Sequence, residues 1–195
     1  METPNDTTMR RKILQTAAGL FTAHGYDGVS MREISEACGL SKPGLYYHFF
    51  DKETLFLAVL EDHLEGLSAL LDQIEQSALS PRKKLSAFIR AVLVDFPADQ
   101  RAIIRLASQE IGKLNPTRRE AFNQQYETRF TGRLAALLAA GIAAGEFRAL
   151  DPQAGMWALL GMMYPFFNLR FPQNGMDAEA AANLVDSVFF EGIAR

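Results

Sequence analysis

Apolar residues recur at intervals of three and four positions along most of the chain, which is the spacing of one face of an α-helix. The first such face comprises Ile13, Leu14, Ala17, Ala18 and Phe21. No stretch alternates apolar and polar residues in the way that a half-buried β-strand does. The pattern therefore predicts an all-α fold of about nine helices.

Capping residues and prolines indicate where the longer predicted helices begin. Three pairs place a helix-capping side chain directly before a proline, namely Ser80-Pro81, Asn115-Pro116 and Asp151-Pro152. They predict helices near residues 81–95, 116–144 and 152–170. Short helices precede residue 50 and long helices follow it, which predicts two domains, residues 1–50 and residues 51–195.

The segment after Ser30 predicts two short helices joined by a tight turn. Ser30 and Glu33 have the spacing of a capping box at the start of the first helix. Gly39 supplies the backbone conformation that a sharp turn needs. Leu45 and Phe49, four residues apart, form the inward face of the second helix. This arrangement predicts a helix-turn-helix.

The second of these helices lies in the stretch SKPGLYYHFFDKETL, which begins at Ser41. If Leu45 faces inward, Pro43 and Tyr47 lie roughly opposite, at about 100° per residue. Pro43 and the small Gly44 join the predicted site, because they leave the helix slim enough to approach a groove. A tyrosine ring can contact a thymine methyl group, and its hydroxyl can contact a phosphate. The stretch therefore predicts a helix that reads DNA.

Lys52 lies in the first turn of the next predicted helix, directly after the capping residue Asp51. A cation at this position opposes the helix macrodipole. A bound phosphate would make the placement favourable, because free backbone N–H groups and the ammonium would both point at it. Lys52 is therefore a predicted phosphate contact, and a solvated lysine is the alternative.

The overall charge argues against a nucleic-acid partner, so the DNA interpretation depends on where the charges lie. The formal net charge is −3 at pH 7. The single cysteine, Cys38, excludes an internal disulfide and favours a reducing compartment. No signal-peptide pattern is visible, so a cytoplasmic location is expected. The uncharged stretch 152–169 is interrupted by Pro165, which favours a buried or dimer-forming helix over a membrane span.

Residues 10–55 resemble the N-terminal domain of TetR-family transcriptional regulators. The resemblance is carried by the first apolar face and by Gly25-Tyr26, Val29-Ser30, Ile34, Gly39-Leu40-Ser41, Leu45-Tyr46, Phe49, Lys52 and Leu55. It implies an all-helical dimer with an N-terminal three-helix DNA-binding domain, whose third helix enters the major groove, and a larger ligand-binding and dimerisation domain. It implies groove or base contacts from Arg32, Lys42, Gly44, Tyr46 and Tyr47, and phosphate contacts from Ser30, Ser41, His48 and Lys52. Ser35 and Phe50 depart from the usual residues of the family.

The long helices carry stripes of large apolar residues that could line a cavity or simply fill a core. The predicted ligand-binding residues are Phe88, Val92, Phe96, Arg105, Gln109, Tyr126, Phe130, Trp157, Met163 and Phe166, with Asn168 as a further polar candidate. A small apolar or aromatic effector is the expected ligand. Two apolar helices near the C-terminus predict dimer contacts, with burial inside one chain as the alternative, at Met156, Leu160, Phe167, Leu184 and Val188.

Motifs of catalysis are absent from the sequence. It contains no phosphate-binding glycine loop and no nucleophile elbow, and its three histidines lack the spacing of metal ligands. We therefore expect no enzyme, no cofactor and no metal. The prediction is a ligand-responsive, homodimeric regulator, expected to be a repressor, that binds a double-stranded DNA operator. The alternatives are a helix-turn-helix factor without a small ligand, and a helical lipid-binding protein or enzyme.

Overall fold

The computed structural model describes residues 4–167 and 176–193, and the regular elements in these residues are helical. The first four helices are α1 (Pro4–His24), α2 (Met31–Cys38), α3 (Lys42–His48) and α4 (Lys52–Gln76). They are followed by α5 (Pro81–Arg90), α6 (Ala98–Glu110), α7 (Pro116–Tyr126), α8 (Gly132–Ala143), α9 (Pro152–Met163) and α10 (Ala178–Ile193).

Short segments of other helix types extend or join these α-helices. A π-helical segment, Ala91–Asp95, extends α5, and a second, Glu127–Thr131, joins α7 to α8. Two 3-10 turns, Ile111–Lys113 and Tyr164–Phe167, follow α6 and α9. When joined segments are counted once, the described residues form nine helices, which confirms the predicted all-α fold.

The chain divides into two compact units, and the division falls within helices. The first unit contains Met1–His63 and Leu106–Phe122, and the second contains Leu64–Arg105 and Asn123–Arg195. Residues 106–122 therefore belong with the N-terminal helices, which no local pattern in the sequence indicates. The division into residues 1–50 and 51–195 stays a prediction about function.

Most helix starts that the sequence predicts carry their predicted caps. Backbone N–H groups of the first turn donate to the side chains of Ser30 at α2, Ser41 at α3 and Asp151 at α9. The start of α5 differs, because Ser80 makes no side-chain cap. The carboxylate of Glu146 instead accepts a backbone N–H in that first turn, at 2.9 Å. A carboxylate from elsewhere in the second unit thus satisfies the free end of α5.

The core of the first unit holds the helix-turn-helix in place. Leu45 and Phe49 are buried, as their spacing predicts. The rings of Phe21 in α1 and Phe56 in α4 meet edge to face with 5.1 Å between centroids, and Tyr26 packs 4.9 Å from Phe56. These aromatic contacts fix α1 and the loop after it against the start of α4.

The second unit is held by aromatic contacts inside and by ion pairs at its surface. The rings of Phe88 and Phe130 lie 5.8 Å apart and are fully buried. The guanidinium of Arg133 in α8 pairs with Asp72 and Glu75 in α4, each at 2.7 Å. The apolar pair contributes more to stability than the ion pairs, because exposed pairs are screened by water.

No helix within residues 4–167 and 176–193 is both long enough and apolar enough to cross a bilayer. The uncharged stretch beginning at Pro152 forms α9 and the 3-10 turn that ends at Phe167. Met156, Leu159 and Met163 bury one side of this helix within its own chain.

Candidate DNA-binding site

Helix α3 turns its apolar residues inward and its tyrosines outward. Leu45 and Phe49 are buried, whereas Tyr47 is 78% exposed and Tyr46 is 41% exposed. Pro43 is also exposed, which leaves that side of the helix free of bulky contacts within the first unit. A helix presented in this way can enter a major groove with its rings towards the base edges.

Lys42 and Phe50 extend the exposed surface of α3 at either end. The ammonium of Lys42 lies 5.8 Å from the centroid of the Tyr46 ring, within the range of a cation–π contact. Phe50 follows α3 and is 81% exposed. The surface that α3 presents is therefore aromatic with a single cation at its start, rather than uniformly basic.

An open cleft of ≈ 480 Å³ lies beside α3, at the start of α2. It brings together five of the predicted DNA-binding residues, Ser30, Arg32, Lys42, Tyr46 and Lys52. Asp27 and Glu33 also line it, so the cleft contains both signs of charge.

The first turn of α2 is closed by its own capping box. The hydroxyl and the backbone N–H of Ser30 both donate to Glu33, each at 2.7 Å. These hydrogen bonds lower the pKa of Glu33 below its ordinary value. Arg32 pairs with Glu36 at 2.8 Å on the exposed face of α2. Such an exposed pair contributes little to stability because solvent screens it, so a DNA phosphate or base can displace it.

Lys52 makes contacts that the sequence does not reveal. Its ammonium donates to the carbonyls of Tyr26, at 2.9 Å, and Val29, at 3.1 Å, and lies 4.3 Å from the centroid of the Tyr26 ring. An ammonium carries three donors, so one donor remains beyond these two hydrogen bonds. Lys52 therefore links α4 to the α1–α2 loop, and its role as a phosphate contact stays a prediction.

His48 faces α1. Its Nδ1 lies 3.3 Å from a carboxylate oxygen of Asp6, and both side chains are largely buried. On the same side, the guanidinium of Arg10 lies 5.1 Å from the ring centroid of Phe49. These contacts fix the end of α3 against α1, and the predicted phosphate contact of His48 also stays a prediction.

Residues 106–122 hold the α1–α2 loop through charged side chains that sequence reasoning missed. The carboxylate of Glu110 accepts the backbone N–H of Tyr26 at 3.2 Å. Lys113 pairs with Asp27 at 2.5 Å and with Glu110 at 2.8 Å. The hydrogen bond from Lys113 lowers the pKa of Asp27 below its ordinary value. Nothing in the local pattern signals the contacts with the loop, because the partners are separated by more than eighty positions.

A second set of contacts from the same segment reaches the start of α4. The guanidinium of Arg118 lies 3.4 Å from Asp51 and 3.3 Å from Glu53. The backbone N–H of Asn115 donates to Glu53 at 2.5 Å. Glu110 and Lys113 thus contact the loop before α2, and Arg118 contacts the start of α4 after α3. Together they contact both segments that flank the helix-turn-helix.

The predicted ligand-binding residues divide into buried and exposed groups. The buried or half-buried ones, all in the second unit, are Phe88, Val92, Phe96, Arg105, Tyr126, Phe130, Met163 and Phe166. Burial raises the pKa of Tyr126 to about 12. Trp157 is 58% exposed and does not line the interior, and Gln109 is exposed and belongs to the first unit. Asn168 lies outside the described residues.

The predicted dimer residues divide in the same way. Met156, on the inner side of α9, and Phe167, in the 3-10 turn after it, are buried within their own chain. Leu160 is half-buried, and Leu184 and Val188 are about half exposed. The exposed apolar surface of α9 and α10 thus includes Trp157, which the sequence had assigned to the ligand.

Comparison with known proteins identifies the family. Residues 13–59 match the model of bacterial regulatory proteins of the tetR family, and residues 78–166 match that of the tetracyclin repressor-like C-terminal domain. The TetR-family regulator PfmR from Thermus thermophilus is 30% identical, with 94% of this chain and 99% of that one covered and a TM-score of 0.79. The chain therefore belongs to the TetR family of transcriptional regulators, which are DNA-binding proteins and not enzymes.

Two further relatives cover nearly the whole chain. The transcriptional repressor KstR2 from Rhodococcus jostii is 24% identical, over 99% of this chain and 95% of the relative. The crystal structure of AibR in complex with isovaleryl coenzyme A and operator DNA is 26% identical, with a TM-score of 0.80 and with 93% of this chain and 98% of that chain covered. The resemblance found in residues 10–55 is thus confirmed and extends to the helices that follow.

Proposed function

We propose that the protein is a ligand-responsive transcriptional repressor that binds a pseudo-palindromic operator as a homodimer. Residues 1–50 read the DNA, and residues 51–195 bind the effector and form the dimer. The protein acts in the cytoplasm, where operator DNA is accessible. Repression is the proposed output because KstR2 carries that role by name.

The observation that carries this proposal is the orientation of α3. Buried Leu45 and Phe49 hold the helix, and exposed Tyr46 and Tyr47 project from the opposite side. The predicted contacts of Arg32, Lys42 and Gly44 with base edges, and of Ser30, Ser41, His48 and Lys52 with phosphates, belong to this proposal. Base contacts supply specificity, whereas phosphate contacts supply affinity and register.

The exposed apolar face of α9 and α10 supports a dimer. Trp157, Leu184 and Val188 are each more than 40% exposed. Paired helices from two subunits would bury these side chains in a four-helix contact with two-fold symmetry. A two-fold dimer of helix-turn-helix heads reads half-sites that lie about one helical turn apart.

The proposed effector has an apolar moiety, and an acyl thioester of coenzyme A is the specific candidate. AibR, which has the same fold over 93% of this chain, was crystallised with isovaleryl coenzyme A and operator DNA. The aromatic interior of the second unit offers an apolar surface for an acyl group. Such an effector would release the operator only to the extent that it prefers the conformation that does not bind DNA.

Selection of a preferred duplex, followed by fluorescence anisotropy, tests the DNA-binding part of the proposal. We expect Tyr47→Ala to lower the affinity for the selected operator about tenfold or more and to leave the affinity for random duplex unchanged. The reason is that a base contact carries about 1–3 kcal/mol of discrimination. Tyr47→Phe keeps the ring and removes the hydroxyl, so it distinguishes a contact made by the ring from one made by the hydroxyl. If Tyr47→Ala discriminates between operator and random duplex as well as the wild type does, α3 is not the helix that reads the DNA.

Titration of the operator complex with isovaleryl coenzyme A and longer acyl coenzyme A thioesters tests the effector part. We expect at least one thioester to lower operator affinity, whereas free coenzyme A should not. If no thioester changes operator affinity, the coenzyme A thioester is excluded as the effector.

A further inference from the structure

Four carboxylates surround Lys52, the predicted phosphate contact at the start of α4. Asp51 and Glu53 are its neighbours in the chain, and Asp27 and Glu33 line the same cleft as Lys52. A DNA phosphate that approached this lysine would therefore meet several like charges in a small area. Such repulsion lowers both the affinity and the rate of association. A phosphate can bind here only if these acids are compensated by other cations.

Cations from α7 and from the turn before it reach three of the four acids. The guanidinium of Arg118 lies 3.4 Å from a carboxylate oxygen of Asp51 and 3.3 Å from one of Glu53. The ammonium of Lys113 pairs with Asp27 at 2.5 Å. Opposite charges at these distances cancel most of the field that each carboxylate would present to a more distant phosphate.

The acids are ionised at neutral pH, so each of them repels a phosphate unless a cation lies beside it. The hydrogen bond from Lys113 lowers the pKa of Asp27 below its ordinary value. Burial raises the pKa of Asp51, but hydrogen bonds from Thr54 and the charge of Arg118 outweigh it and leave this pKa lowered as well. Removal of either cation would leave an ionised carboxylate uncompensated near the predicted phosphate contact.

Lys52 itself is not used to compensate these acids. Its ammonium donates to the backbone carbonyls of Tyr26, at 2.9 Å, and Val29, at 3.1 Å. Carbonyl groups fix the position of an ammonium but leave its net charge in place. Because Arg118 and Lys113 pair with the acids, the charge of Lys52 is available to a phosphate.

We propose that Arg118 and Lys113 are positioning residues of the DNA-binding site, which neutralise the acids around Lys52 so that the first turn of α4 can accept a DNA phosphate. This inference rests on the proposed function, because it concerns the phosphate contact assigned there to Lys52. Phosphates carry no sequence information, so the two cations contribute equally to the affinity for operator and for random duplex.

Fluorescence anisotropy of the full chain with both duplexes at about 0.1 M salt tests the proposal. Arg118→Gln removes the cation, and Arg118→Lys keeps the charge. The double variant Arg118→Gln/Glu53→Gln removes the cation together with one acid that it pairs with. Glutamine at position 53 keeps an oxygen that can accept the backbone N–H of Asn115.

Arg129→Gln is the matched control. Arg129 also pairs with a carboxylate of α4, that of Glu65, so its replacement removes the same charge and the same kind of ion pair. Glu65 lies about 18 Å of helix beyond Glu53, at a rise of about 1.5 Å per residue. This distance exceeds the Debye length of about 10 Å at 0.1 M salt, so the control is screened from the start of α4.

We expect Arg118→Gln to lower the affinity for both duplexes about three- to tenfold, because an ionised carboxylate then faces the phosphate. Arg118→Lys should lose less, and the double variant should regain most of the lost affinity. Arg129→Gln should change the affinity by no more than about twofold. Lys113→Gln, with rescue by Asp27→Asn, repeats the test at the second cation and decides the proposal if Arg118→Gln does not fold.

Three results overturn the proposal. Unchanged affinity in Arg118→Gln or Lys113→Gln would exclude that residue from the role. A loss that Glu53→Gln does not restore would show that Arg118 is a structural contact or touches the phosphate itself. An equal loss in Arg129→Gln would show an effect of net charge alone.

Failure of the proposed function is a separate result. In that case the wild type binds operator and random duplex equally well, and α3 reads no sequence. The losses in Arg118→Gln and Lys113→Gln would still be measured on that non-specific binding, because the phosphate contact does not depend on sequence. The two failures are therefore distinguishable.

Discussion

Lys52 joins the α1–α2 loop to the start of α4 through the carbonyls of Tyr26 and Val29. We expect Lys52→Met to lower the free energy of unfolding by about 1–3 kcal/mol, because two carbonyls lose a charged donor. Denaturant titration measures this change, and Lys52→Arg, which keeps the charge, should lose less. A fully stable Lys52→Met variant would contradict this structural role. If Lys52 also contacts a phosphate, the slope of log DNA affinity against log salt concentration should become shallower by about one unit in Lys52→Met.

Phe50 places a ring, rather than a charge, directly after α3, where it is 81% exposed. We expect Phe50→Lys to raise affinity for any duplex and to steepen its salt dependence by about one unit, because an added cation releases one more counterion. Anisotropy at several salt concentrations, with operator and random duplex, measures both effects. Gln76→Lys adds the same charge at an exposed position at the end of α4. An equal gain in that control would show a general charge effect instead of a local contact.

Among the elements, α2 depends on the capping box at its start. The hydrogen bonds from Ser30 lower the pKa of Glu33 below its ordinary value. A carboxyl whose pKa is depressed by folding stabilises the protein above its unfolded-state pKa, and this contribution is lost as the pH falls through the folded-state pKa. We expect Glu33→Gln to flatten the decline in melting temperature below about pH 4.5. Glu61→Gln, on the exposed side of α4, should keep the wild-type decline, and identical curves for the two variants would contradict the role of the box.

Helix α8 packs closely on the turn that follows it. A Cβ at Gly141 would lie 2.1 Å from a ring carbon of Phe147, which is buried and stacked on Phe190. We expect Gly141→Ala to lower the free energy of unfolding by about 1–3 kcal/mol, because the ring has little room to move. Gly66→Ala is the control in α4, where the added Cβ meets nothing within 4 Å and should stabilise the helix by up to about 1 kcal/mol. Calorimetry that shows stabilisation in both variants would refute the close packing.

For the whole molecule, the exposed apolar face of α9 and α10 determines the expected assembly. We expect Leu184→Glu to convert a dimer into monomers and to weaken operator binding at least tenfold, because a buried charge would face its symmetry copy. Leu79→Glu is a matched control, since Leu79 and Leu184 are both 43% exposed and Leu79 lies outside α9 and α10. Sedimentation velocity measures the mass. If Leu184→Glu remains a dimer, the interface does not lie on the exposed apolar face of α9 and α10.

Local features of the chain predict the helices and the orientation of α3 because they act over three or four residues. Capping at Ser30 and Ser41 and the inward spacing of Leu45 and Phe49 are properties of single turns of helix. The apolar helix α9 is a different case. Nearly all its side chains are apolar, so periodicity could not tell that Met156 faces its own chain while Trp157 faces outward.

The sequence by itself determined the all-α fold, the family and the helix whose tyrosines are exposed. Only the tertiary structure decided which partners meet across long stretches of chain, such as Glu110 with Tyr26 and Lys52 with Val29. It also decided that Arg101 is buried beside a π segment while Arg148, in the same unit, is exposed. Helical periodicity records which face of a helix is apolar, but a polar side chain finds its partner only after those faces have packed.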